Sequence, residues 1–199
     1  MSKIALTGNA SGSGTFTLAA PNSDTDRTLT LPDSAGTIAT TNGITHMTQF
    51  RLTTSYDPGP DDDITANIEE VDDATYSRIG SAVTESSGVF TLPETGVWQV
   101  IVMATIGGVD DNNAGVDIAV STDSGSTFDR VARGYGGQNS GTAGGDSVSA
   151  NAYVNCTSAS TFRVKFVTFS FGNANTELRG ETGYSQTSFT FIRIGDAQS

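Results

Sequence analysis

The sequence predicts an all-β protein, an antiparallel β-sandwich preceded by a short β-rich extension. Three observations carry this. Apolar and polar residues alternate with a period of two in segment after segment, as in Val148, Ala150, Ala152 and Val154 against Ser149, Asn151, Tyr153 and Asn155. Turn residues, including 23 glycines, separate these runs at short intervals. The 3.6-residue spacing of an amphipathic helix is almost nowhere found. With 199 residues the chain suffices for one β domain of ordinary size and a short extension.

Taken in order, the first segment is Gly14–Thr41. Thr15, Thr17, Thr28 and Thr30 alternate with Phe16, Leu18, Leu29 and Leu31, with breaks at Pro21-Asn22 and Pro32-Asp33. Two thin strands have little core of their own and need neighbours to bury these side chains. The boundary is expected at Thr41-Asn42-Gly43, where the Thr/Gly-rich extension ends, dividing a β-rich N-terminal segment (1–43) from a main domain (44–199). His46–Thr54 reads as a strand with Phe50 and Leu52 on one face. Tyr56–Asp73 is too rich in Pro, Gly and Asp for a central strand. Strands follow at Val89–Leu92 and Val97–Ile106, joined by Pro93–Gly96, then a hairpin of Val116–Ser121 and Thr127–Ala132. A Gly-rich loop, Gly134–Asp146, precedes three long strands: Val148–Asn155, Thr161–Phe171 and Thr187–Ile194. About eight strands fit a sandwich or jelly roll.

Two strands carry apolar residues on both faces. Trp98, Val100, Val102, Ala104 and Ile106 share one face of Val97–Ile106, while Val97, Ile101 and Met103 line the other. In Thr161–Phe171, Phe162, Val164 and Phe166 oppose Val167, Phe169 and Phe171. An antiparallel sandwich has no helices to cover an outer face, so a second subunit is the simplest cover. A β-bulge after Phe166 would instead return the aromatics to one core. The first reading makes Val97, Ile101, Met103, Val167, Phe169 and Phe171 the subunit interface.

Charge and composition exclude several classes. Ten Lys and Arg against 22 Asp and Glu give a net charge of −12, the wrong sign for a nucleic-acid binder. No apolar run reaches membrane-spanning length, and Met1–Ile4 opens no signal peptide. A lone Cys156 permits no internal disulfide, and the lone His46 is remote in sequence, so Cys156 reads as a small buried side chain rather than a nucleophile. Ser121–Phe128 fits the Asp-box pattern S-x-D-x-G-x-T-F, here a hairpin tip with Asp123 binding turn amides and Gly125 supplying the unusual dihedral. The carboxylates of Tyr56–Asp73 lack calcium-loop spacing and read as solvated charge. No enzyme activity, cofactor or metal is expected. The Gly134–Asp146 loop is the candidate for carbohydrate recognition, through Arg133, Tyr135, Gln138 and Asn139, which offer stacking and hydrogen-bonding groups beside flexible glycines.

Two resemblances sharpen this reading. Gly14-Thr-Phe-Thr-Leu18, Thr28-Leu-Thr-Leu-Pro-Asp33 and Ala35-Gly-Thr-Ile38 resemble a short repeat of bacteriophage tail-fibre and other virion proteins. Gly88–Val100 and the closing Thr187–Ile194 resemble C1q/tumour-necrosis-factor-like jelly rolls. The second resemblance implies a homotrimer with a central two-faced strand at Val97–Ile106. Together they imply a virion protein, made in the host cytoplasm: a short trimeric tail fibre or receptor-binding protein docked on other virion proteins by its N-terminal segment. The alternative is a trimeric capsid decoration protein.

Overall fold

The computed structural model describes residues 11–14, 24–25, 43–108, 113–137, 144–172 and 175–198. The chain divides into two units, residues 1–39 and 40–199. In the first, residues 11–14 and 24–25 are exposed and form no strand. The rest of the Thr/Leu-rich segment expected to be β lies outside the described residues.

The second unit holds twelve strands: β1 (His46–Leu52), β2 (Thr54–Tyr56), β3 (Ile68–Glu70), β4 (Thr84–Ser86), β5 (Val89–Thr91), β6 (Gly96–Gly108), β7 (Gly115–Ser121), β8 (Asp129–Tyr135), β9 (Gly144–Cys156), β10 (Arg163–Phe169), β11 (Glu177–Glu181) and β12 (Ser188–Gly195). Three of those beyond the expected eight, β2, β3 and β4, have only three residues, too few to show a period. All pairings are antiparallel. One sheet runs β2-β11-β6-β12-β1-β3, with β9 along the opposite edge of β6; the other runs β4-β5-β10-β7-β8. From β5 to β11 the chain crosses between the sheets at every step except β7 to β8, which wraps it as a jelly roll.

The inward faces form one core. The period-two residues of β6 and β9 (Trp98, Val100, Val102 and Ala104; Val148, Ala150, Ala152 and Val154) meet Val116, Ile118, Val164 and Phe166 of the facing sheet. Phe90, on the short β5, is central: its ring lies 5.0 Å from Phe191, 5.1 Å from Phe50 and 5.4 Å from Phe166.

Three expectations are corrected. The Gly-rich loop is shorter than 134–146, because Gly144 and Gly145 pair with Gly108 and Gly107 and extend β9. On strand β7 the alternation of Val116, Ile118 and Val120 with Asp117, Ala119 and Ser121 predicts one wet face, yet Asp117, Ala119 and Ser121 are buried as fully as Val116 and Ile118. The apolar second face of β10 is covered by its own chain. Ser170 takes a left-handed φ of 56°, Gly172 N–H donates to the Ser170 carbonyl at 2.9 Å, and the turn returns Phe171 to the core at 2 % exposure. Val167 is buried as well, and Phe169 lies under Arg133. Phe171 and Val167 therefore need no second subunit. The parity shift offered as the alternative exists, three residues later than expected.

Candidate assembly face and recognition site

On β6 the two faces are as expected, and the outer one is open. Strand register lays Tyr153, Gln99, Ile192 and Met47 in one row across β9, β6, β12 and β1. Asn151, Ile101, Thr190 and Gln49 form the next row, and Ser149, Met103, Ser188 and Arg51 the third. Met103 is 58 % exposed and Tyr153 65 %, with Val97, Ile101, Ile192 and Met47 half-buried around them. Amide bonds stitch the rows: Gln49 Nε2 donates to Thr190 Oγ1 at 3.0 Å and Gln99 Nε2 to Asn151 Oδ1 at 3.4 Å. Apolar groups in a frame of uncharged polar ones make a face suited to protein contact.

The third row ends in a closed ionic cluster. Arg51 is only 2 % exposed, and its guanidinium donates to Glu69 (2.8 Å), Asp73 (2.8 Å) and Asp72 (2.6 Å). Bonds to Glu69 and Asp73 raise its pKa. The carboxylates at the end of the acidic stretch thus surround a guanidinium and tie the segment after β3 to the sheet, so they are not simply solvated charge.

The outer face of the second sheet carries a denser arrangement. Asp117 has no exposed surface, though its side chain points away from the core. Arg133, its register partner on β8, donates from Nε (2.6 Å) and Nη2 (2.7 Å), and Arg130 Nε reaches the same carboxylate at 3.0 Å. Residues 130 and 133 of a regular strand would face opposite ways. The register shifts between Ile118 and Ala119, where Val131 is the extra residue, and this bulge puts both arginines on one face. Arg133 also lies 3.6 Å over the Phe169 ring, whose edge meets Tyr135 at 6.1 Å. Asp117 raises the Arg133 pKa by hydrogen bonding.

Beside this network lies a trough of about 290 Å³. Its floor is Ala119 and Val167, both buried; its walls are Asp61 and Asp63 on one side and Phe128 and Arg130 on the other, with Lys165 between. Lys165 Nζ sits 2.8 Å from Asp63 and 4.4 Å from the Phe128 ring centre. The Asp61–Ile64 segment is pinned to β10: Asp62 N–H donates to Thr168 Oγ1 (3.0 Å), Thr168 N–H to the Asp62 carbonyl (2.8 Å) and Ile64 N–H to the Phe166 carbonyl (2.9 Å).

The Asp-box segment is the hairpin tip that its pattern predicts. Ser121 Oγ donates to Asp123 Oδ1 (2.7 Å), Thr127 N–H to the same oxygen (3.0 Å) and Thr127 Oγ1 to Oδ2 (2.7 Å), while Gly125 takes φ 89°. The Ser121 hydroxyl first, then Thr127, hold the Asp123 carboxyl at about 2, below its ordinary 3.8. Because the folded value is the lower one, the stabilisation is present above about pH 4 and is lost as pH falls through 2. Asp123→Ala should therefore melt below the wild type at pH 7, and the gap should close between pH 4 and 2. A gap unchanged across that range would show that the ionised form is not what the turn uses.

Of the recognition residues expected in the Gly-rich loop, Arg133 and Tyr135 stand on β8, and Arg133 is committed to Asp117 and Phe169. Tyr135 is exposed; Gln138 and Asn139 lie outside the described residues. Cys156 is buried, and burial pushes its thiol pKa up. His46 packs on Trp98 at 5.8 Å and meets Glu94 at 3.1 Å. Neither has the setting of an activated nucleophile and base. Sequence reasoning missed Asp117, Arg130 and Arg51; a single Asp inside Val116–Val120, with arginines across the hairpin, was the available signal.

Comparison with protein-family models finds no match, and comparison with curated proteins finds none. Solved structures do match. Eiger TNF from S. frugiperda aligns with a TM-score of 0.54 at 11 % identity, covering 77 % of this chain and 94 % of that one. Murine APRIL aligns with a TM-score of 0.52 at 11 % identity, covering 75 % and 98 %. The globular domain of zebrafish complement 1qA aligns at 0.49 with 13 % identity. The first two likenesses, with the two-sheet topology above, show the fold: a TNF-like jelly roll, as the second resemblance implied.

Proposed function

We propose that this chain is a non-enzymatic bacteriophage virion protein, a homotrimer serving as a short tail fibre whose jelly roll meets the host. The observation that carries assembly is the open outer face of the β9-β6-β12-β1 sheet, where Met103 and Tyr153 are exposed beside the half-buried Ile101 and Ile192. A second and a third copy of the chain would bury it, the arrangement that the resemblance to the TNF fold implies. The wording of Gly14–Thr41 supports the virion setting, and residues 1–43 would dock on other virion proteins. The partner at the outer end is a host-surface glycan or protein.

Copy number tests this reading. Quantitative mass spectrometry of purified particles of the phage that encodes the chain should give tens of copies or fewer per virion. Hundreds would replace the fibre with a capsid decoration protein, and none would remove the virion reading.

A further inference from the structure

We propose that the trough between the Asp61–Asp63 segment and β8 binds one or two residues of an uncharged saccharide; this rests on the host-attachment reading and names its ligand class. The first reason is charge balance. Two carboxylates, Asp61 and Asp63, face two cations, Arg130 and Lys165. Asp63 is already neutralised by Lys165 at 2.8 Å, so neither a phosphate nor a divalent cation finds an excess of opposite charge. A ligand with paired donors and acceptors does find partners there, and vicinal hydroxyls are such pairs.

The second reason is unused bonding capacity. Arg130 Nη2 and Asp61 Oδ1 stand 3.8 Å apart, too far for a hydrogen bond. A hydroxyl between them would accept from the guanidinium and donate to the carboxylate, two charge-assisted bonds in place of bonds to water. Asp61 is held for this: it takes a left-handed φ of 53°, a conformation uncommon for a residue with a side chain, and the bonds of Asp62 and Ile64 to β10 keep it there. Arg130 is oriented by Asp117 at 3.0 Å. Donor and acceptor are thus fixed before a ligand arrives, which reduces the ordering cost of binding.

The third reason is shape. The half-buried Phe128 is the apolar group that a sugar ring would meet, above a closed floor of Ala119 and Val167, while Asp61, Asp63, Arg130 and Lys165 make the rim polar. The volume, about 290 Å³, is near the lower end of ligand sites and suits a terminal unit rather than a long chain.

The test uses the full-length protein on an array of neutral oligosaccharides of glucose, galactose, rhamnose and N-acetylglucosamine, with sialylated and sulfated glycans beside them. At least one neutral glycan should bind, and Asp61→Gly, which suits the left-handed backbone, should weaken it at least ten-fold by titration calorimetry. Lys165→Met should weaken it as well, with the melting temperature of each variant confirming a folded protein. The proposal is overturned if no neutral glycan binds, if only anionic glycans do, or if both variants bind as the wild type does. Adsorption to host cells separates the two readings. Wild type and Asp61→Gly adsorbing equally would leave host attachment standing and remove the trough from it. A wild type that binds a neutral glycan through Asp61 but adsorbs to no host would do the reverse.

Discussion

Replacing Arg130 and Arg133 together by alanine is expected to destabilise the fold by about 3–5 kcal/mol, the usual cost of leaving a buried charge without its partner. For a domain of this size that is a fall in melting temperature on the order of 10 °C. Asp117 is wholly buried, whereas the side chains of Arg130 and Arg133 are 48 % and 36 % exposed. Removing both arginines leaves the carboxylate without either of the cations that hold it. Removing Asp117 instead releases two cations already partly open to water, so Asp117→Ala should cost clearly less than the double arginine variant. Adding Asp117→Val to the double variant should restore most of the loss, since β7 then carries an apolar side chain of similar size beside Val167. Urea midpoints of the three proteins decide the matter. Equal losses for Asp117→Ala and the double variant would mean that no charge is stranded, and a triple variant no more stable than the double one would place the loss in packing of the arginine stems on Phe169.

The same network shows where the sequence is legible and where it is not. Period-two alternation located β6, β7, β9 and β12, chose the inner face of β6 and separated Trp98 from Met103. Those readings depend only on neighbours two residues apart along one strand. The placement of Arg130 beside Arg133 depends on one bulged residue, Val131, and no local pattern marks it. The fate of Phe171 depends likewise on a left-handed Ser170, a backbone state seldom taken by serine. The error on β10 arises from a parity change of this kind, whereas on β7 the parity was right and the missed fact is the cover that Arg130 and Arg133 give Asp117. The acidic stretch misled for another reason. Its carboxylates looked solvated because their partner, Arg51, lies on β1, 18 residues before Glu69, and strand pairing brings it there. The trough is the hardest case: Asp61, the hairpin of Ala119 and Phe128, and Lys165 are three separate stretches, joined only by the pairing of the second sheet and the bonds of Asp62 and Ile64 to β10.

Met103→Asp and Ile101→Asp, each alone, are expected to convert a particle of three times the 20.6 kDa chain into single chains, read as mass by light scattering on a sizing column. Both side chains stand on the outer face of β6, the strand at the centre of the β9-β6-β12 ladder. In a cyclic trimer one substitution occurs three times. Burying a carboxylate without a partner costs several kcal/mol; the flanking residues are Asn151, Ser149, Thr190 and Ser188, and Arg51, farther along the Met103 row, is already committed to Glu69, Asp72 and Asp73. Threefold repetition of that cost exceeds what a typical interface contributes in net affinity. The fold itself should survive, because each position is solvent-facing in the single chain. Trp98, wholly buried on the opposite face of β6, reports this through unchanged fluorescence. Tyr135→Asp, on the second sheet, serves as the control and should leave the mass at three chains. If instead the Tyr135 variant dissociates and the Met103 variant does not, the second sheet is the assembly face and the trough beside it lies at an interface. A wild type that runs as a single chain would show that the apolar row of Ile192, Met47 and Tyr153 serves some other partner.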